Sequence, residues 1–202
     1  LQTAPFRPRA LFERFNIEVI ATTEGPLDPL EHHQAIRDSG WAGKVVTAYR
    51  PDEVVDPEHE SFAAALQRFG QLTGEDVYSW DGYLRAHRDR RAFFKSLGAT
   101  STDHGHESAL TANLSRAEAE RLFGRILKGD FSAQEATLFR GQVLTEMAAM
   151  SLDDGLVMQL HPGCYRNHNP LLFARHGRNV GADLPLATEY VRSLKPLLDR
   201  FG

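Results

Sequence analysis

Four stretches of this chain are rich in apolar and β-branched residues, and each breaks off into a polar loop: Ile17–Thr22, Lys44–Tyr49, Ala99–Thr102 and Leu156–Leu160. Short runs of that composition, bounded by Gly, Pro and charged residues, predict strands. The segments between them carry apolar positions at helical spacing. Asp28 and Pro29 supply an N-cap and a first-turn proline for a helix over Pro29–Asp38, which stops near Gly40. Pro57–Leu72 places Phe62, Ala65, Leu66 and Phe69 on one face. Trp80–Leu97 ends at Gly98. Ser115 with Glu118, and Ser132 with Glu135, are capping-box pairs that open helices over Ser115–Lys128 and Ser132–Leu152. Leu184–Phe201 predicts a last helix with Pro185 in its first turn, kinked or ended by Pro196. Residues 1–14 read as an irregular lead-in or a helix tail.

Strands alternating with helices predict parallel strands joined by right-handed crossovers, an α/β fold in a single domain over residues 1–202. At this level two architectures stay open: a small open sheet, or half of an eight-stranded barrel.

Composition narrows the function classes. With 42% hydrophobic and 25% charged residues, a net charge of −4 and a pI near 6.1, nothing points to nucleic acid or an anionic membrane as partner. No apolar run reaches the roughly 18 residues of a membrane span. The one cysteine, Cys164, excludes an internal disulfide framework and suits a reducing cytoplasm.

In a parallel sheet the carboxyl ends of the strands share one edge, where sites of α/β folds lie. Here those ends read Thr22-Thr23-Glu24, Arg50-Pro51-Asp52, Asp103-His104 and His161. Together they would line a pocket with an arginine, carboxylates and histidines. Arg50 could clamp a carboxylate or phosphate, or pair with Asp52 on the surface. His104 and His161 could serve as acid–base groups or metal ligands; otherwise His104 belongs to a polar turn and His161 caps a core strand. His104 and His106 have a metal-pair spacing, a weak signal in a loop. His32 and His33 are adjacent on a helix and cannot both face one site. His59, His87 and His176 read as surface or supporting residues. After His161 comes a second polar run, Arg166, Asn167, His168 and Asn169.

FNIEVIATTEGPLDPLEHHQAI, VVTAYRPD, STDH and VMQLHPGCYRNHN, in that order, resemble uronate isomerase (glucuronate isomerase) of the amidohydrolase superfamily. The resemblance runs from about Phe15 to about Arg178. It implies a distorted (β/α)8 TIM-like barrel, with the four strands here as numbers two to five. It implies interconversion of D-glucuronate with D-fructuronate and of D-galacturonate with D-tagaturonate through an enediol-like intermediate. It puts the uronate carboxylate on Arg50 and the superfamily's strand-five histidine on His161. Thr22, Thr23, Asp103, His104, Arg166 and Asn167 are then expected around the substrate. A divalent metal, zinc foremost, is implied as cofactor, held by a His-x-His pair on the first strand and an Asp on the last. Those elements are not in this sequence, so no residue here is expected as a metal ligand. Thr22-Thr23-Glu24-Gly25-Pro26 also departs from the family's usual Thr-Thr-Asp-Asp-Pro. The chain is therefore expected to be an internal piece of a longer, cytoplasmic, homo-oligomeric enzyme, with little activity alone and with open sheet edges that favour dimers. A metal-dependent hydrolase of the same superfamily, or a non-catalytic sugar-acid binding or interaction domain, are the other readings.

Overall fold

The structure is a computed structural model that describes residues 3–178, 180–181 and 183–202. A short 3₁₀ turn at Ala4–Phe6 leads into α1 (Pro8–Arg14), followed by β1 (Val19–Glu24), α2 (Glu31–Asp38) and β2 (Lys44–Tyr49). Two helices, α3 (Phe62–Thr73) and α4 (Trp80–Ser96), connect β2 to β3 (Ser101–His104). Two more, α5 (Arg116–Leu127) and α6 (Ala133–Asp154), connect β3 to β4 (Val157–Leu160).

Within the four-stranded sheet all three pairings are parallel, and the order across it is β1-β2-β3-β4. That order decides between the two architectures. A doubly wound sheet reverses its strand order at a switch point and carries helices on both faces. An order that climbs one strand at a time, with right-handed crossovers, keeps every helix on one face, as in a barrel. The α/β fold here is thus a run of consecutive barrel-type units. The helix-side face of the sheet packs onto one apolar core that includes Tyr49, Phe69, Tyr83, Phe94, Phe123, Phe139 and Met147, each at most 2% exposed. The other face is open: Val19 and Val157 are 45% and 64% exposed.

β2 falls on Lys44–Tyr49 as its composition predicts and β4 starts one residue late, whereas β1 and β3 begin and end later than predicted. Asn16 takes a left-handed turn (φ 51°), and the Ile17 amide bonds back to the Phe12 carbonyl. Residues 17–18 are thereby used to close α1, and β1 runs on through Thr23 and Glu24. Likewise Gly98 (φ 99°) and the Ala99 amide, bonded to Phe94, close α4 before β3 begins. The same correction applies to Pro57–Ser61, which forms successive turns, so that α3 starts at Phe62.

The largest departure lies at the end of the chain, where Leu184–Phe201 is not one helix. Leu184–Pro185 forms β6, which pairs antiparallel with β5 (Cys164–Tyr165); only Lys195–Phe201 (α8) is helical. Pro196 starts that helix instead of ending it, since a first-turn residue needs no amide donor. Another helix, α7 (Pro170–His176), follows the polar run. Asn169 caps it, accepting from the amides of Leu171 and Leu172 at 3.0 and 3.1 Å.

Candidate active site

Strand parity sets which side chains reach the open face. Successive residues of a strand alternate faces, and register partners in a sheet share one. Tyr49 faces the helices, since its hydroxyl bonds His87 Nδ1 of α4 at 2.7 Å. Thr47, Thr102, Thr22 and Glu24 share that face by register. Thr23, Ala48, Ser101 and Asp103 are on the opposite face, and Arg50 and His161 continue the same alternation past the ends of β2 and β4.

At the carboxyl edge of this open face, three predicted residues meet. Asp103 Oδ1 is 2.7 Å from His161 Nε2, and Asp103 Oδ2 is 3.5 Å from Arg50 Nη1. Arg50 also donates from Nε to Asp52 Oδ2 at 2.7 Å. The pair with Asp52 is therefore made, while the guanidinium tip reaches Asp103 at the open edge. Backbone bonds fix the strand ends: Arg50 N to Glu24 O at 3.0 Å, and His161 N to His104 O at 3.1 Å. Gly105 lies between them. A Cβ there would fall 2.1 Å from Arg50 Nη2 and 2.9 Å from His161 Cε1, so only glycine lets the arginine and the histidine approach this closely.

The edge opens into a cleft of about 760 Å³, whose walls include Arg50, Asp52, His106, Arg140, Arg166 and Arg178. Arg166 and Asn167, expected near substrate, do line it. Both are tied to Asp183, Arg166 by an ion pair at 3.6 Å and the Asn167 amide by a bond at 3.1 Å.

Two expected substrate residues are placed elsewhere. The Thr22 hydroxyl lies 2.8 Å from His33 Nε2 and donates to the Val46 carbonyl at 3.3 Å. It serves a partly buried network under α2 with Glu24, whose carboxylate accepts from Thr47. Thr23, one residue on, has the parity that Thr22 lacks. His104 is only 1% exposed and turns toward the helix side, with Nε2 3.0 Å from the Thr102 hydroxyl. His87 is not a surface residue but a fully buried one; burial pushes its pKa down to about 3, and the neighbouring Arg91 adds to the shift.

His104 belongs to a second constellation. Asp52, His104 and His106 each bring a potential ligand atom within 4.8 Å of the others. His104 Nδ1 and both ring nitrogens of His106 are buried without a hydrogen-bond partner. Burial, and secondarily His106, lowers the His104 pKa well below the ordinary value; burial also lowers that of His106, opposed by Asp52. Both rings are thus neutral, with lone pairs free to bind. Two imidazoles and a carboxylate fit a divalent transition metal. The His104-x-His106 spacing hinted at this, but Asp52 comes from another loop, and nothing in the sequence brings it there.

Comparison with known proteins identifies the family. The family model described as glucuronate isomerase matches residues 1–202. A uronate isomerase of Xanthomonas campestris pv. campestris (strain B100) is 74% identical over the whole chain, which covers 43% of that protein. One from Phenylobacterium zucineum (strain HLK1) is 69% identical, with 42% of it covered. The chain therefore spans less than half the length of the curated relatives it matches. The crystal structure of glucuronate isomerase from Caulobacter crescentus superposes with a TM-score of 0.95 at 62% identity, over 99% of this chain and 42% of that one. Uronate isomerase from Thermotoga maritima, at 23% identity, shares the fold with a TM-score of 0.90 over 96% of this chain and 44% of that one. With the full length matched, the chain belongs to the glucuronate isomerase family.

Proposed function

We propose that this chain supplies the carboxylate-binding and acid–base part of a uronate isomerase site, acting on D-glucuronate and D-galacturonate. The observation that carries the reading is the Arg50–Asp103–His161 array at the strand ends, whose Arg50 lines a cleft large enough for a six-carbon sugar acid. Aldose–ketose isomerisation removes the proton at C2 and protonates the carbonyl oxygen at C1 to give an enediol; a proton then adds at C1 as the O2 hydroxyl gives up its own to become the ketone. It needs an anchor for the far end of the sugar and a group that holds a proton in between. Arg50 is the anchor, since a planar guanidinium matches the uronate carboxylate. His161 holds the proton, and Asp103, 2.7 Å away, orients its ring. Thr23, Arg166 and Asn167 surround the sugar hydroxyls.

The family resemblance adds a divalent metal, with zinc preferred. When bound it supplies Lewis acidity toward the sugar oxygens, and the resemblance places its His-x-His and Asp ligands on strands other than the four here. A cytoplasmic setting and assembly with further copies complete the reading.

Titration calorimetry of D-glucuronate into the chain tests it. Arg50→Ala should weaken binding by roughly ten- to a hundredfold, the loss of a charged hydrogen-bond pair. Equal binding by wild type and variant would remove Arg50 from the clamp. Isomerisation by the isolated chain is expected to be undetectable with or without added metal.

A further inference from the structure

We propose that Asp52, His104 and His106 form a divalent-cation site of the zinc class, one that also braces the arginine clamp. Its donors come from two loops, the 3₁₀ turn Asp52–Val54 after β2 and the His104–His106 segment at the end of β3. Three observations converge on it. His106 Nε2 lies 3.8 Å from Asp52 Oδ1. The ligand atoms of a tetrahedral zinc, at bond lengths of about 2.0–2.1 Å, are about 3.3 Å apart, so small side-chain rotations would close the set. The ring nitrogens facing this point are buried and unpartnered. Each such orphan destabilises the fold unless something takes its lone pair. Finally, His104 is already oriented as metal-bound histidines are, one ring nitrogen engaged by a hydroxyl, Thr102 Oγ1 at 3.0 Å, and the other free.

Asp52 links the site to the clamp. Its Oδ2 accepts from Arg50 Nε at 2.7 Å, while Oδ1 points toward His106 and, at 3.4 Å, the Gly105 amide. A cation on Oδ1 would fix the carboxylate and, through Oδ2, the guanidinium. Three protein ligands leave a fourth position for water or a ligand oxygen.

The test is a titration of the chelator-stripped chain with Co²⁺ and then Zn²⁺, in the absence of any sugar, so that the result is independent of the isomerase reading. The readouts are the visible ligand-field spectrum of cobalt, its displacement by zinc, and bound metal after gel filtration. One equivalent is expected, with a spectrum of imidazole and carboxylate ligation. His106→Ala and Asp52→Asn should each weaken zinc binding roughly tenfold or more while retaining the far-ultraviolet dichroism of the wild type. The exposed His32→Ala serves as control and should bind as wild type does. If His106→Ala unfolds, Asp52→Asn, altered at a partly exposed residue, carries the comparison. No retained metal, or equal binding by wild type and both triad variants, would overturn the proposal.

Discussion

At the scale of single residues, the site is a question of parity. Arg50, Asp103 and His161 were legible because each marks a strand end with a group suited to proton or carboxylate chemistry. Thr22 and Thr23 were not separable, because composition does not reveal where the pleat starts. The bond from Ile17 to Phe12 delays β1, and with it sets which threonine faces the helices. His104 was misplaced for the same reason, and Asp52 joins it only through the third dimension. Gly105 gives the sharpest residue-level prediction. Its backbone is not in the left-handed region, so alanine carries no conformational penalty there. The added methyl would instead push directly on Arg50 Nη2 and His161 Cε1. Gly105→Ala should therefore leave the unfolding free energy within about 1 kcal/mol of wild type. It should also weaken D-glucuronate binding at least as much as Arg50→Lys does. Calorimetry and urea unfolding on one preparation check both halves; a large loss of stability with intact binding would refute the steric account.

At the scale of elements, the helices with side-chain caps were read best. Ser115 with Glu118, and Ser132 with Glu135, close both reciprocal bonds of a capping box, and each holds its glutamate pKa below the ordinary value through bonds from the serine. Local chemistry of this kind does not depend on the rest of the fold, which is why it can be read from sequence. Ser132→Ala should cost about 1 kcal/mol of stability, and Ser132→Asp much less, by urea denaturation. Where the signals were long-range, the reading failed. The β5–β6 ladder joins residues 164–165 to 184–185, and no local pattern announces that pairing. The Asn169-Pro170 start of α7, by contrast, was a readable cap lost in a run of polar residues.

At the scale of the whole molecule, parallel strands and alternating helices were legible, whereas the choice between an open sheet and a barrel segment needed the strand order. Stability toward acid is a property of the assembled core. His87 is neutral in the fold with a pKa near 3, while in the unfolded chain it titrates near 6.5. Below the unfolded value the unfolded state binds the extra proton, so stability is lost as pH falls from about 6.5 toward 3, by up to about 1.4 kcal/mol per pH unit. His87→Gln should flatten that slope in chemical-denaturation midpoints measured between neutrality and pH 4, even if it lowers stability at pH 7. The open sheet imposes a second whole-molecule property. Among the described residues β1 pairs only with β2 and β4 only with β3, so two strands present unpaired backbone groups along one side. The sheet face between them exposes Val19 and Val157. Unpaired edges bordering apolar surface drive strand addition. The chain should therefore self-associate reversibly, its weight-average mass by light scattering rising with concentration. Val19→Lys with Val157→Lys places charges on the exposed face without touching the packed core, and should shift the mass toward that of one chain. A wild-type mass that stays at one chain across the accessible concentrations would show that these edges are protected in a way the sheet itself does not provide.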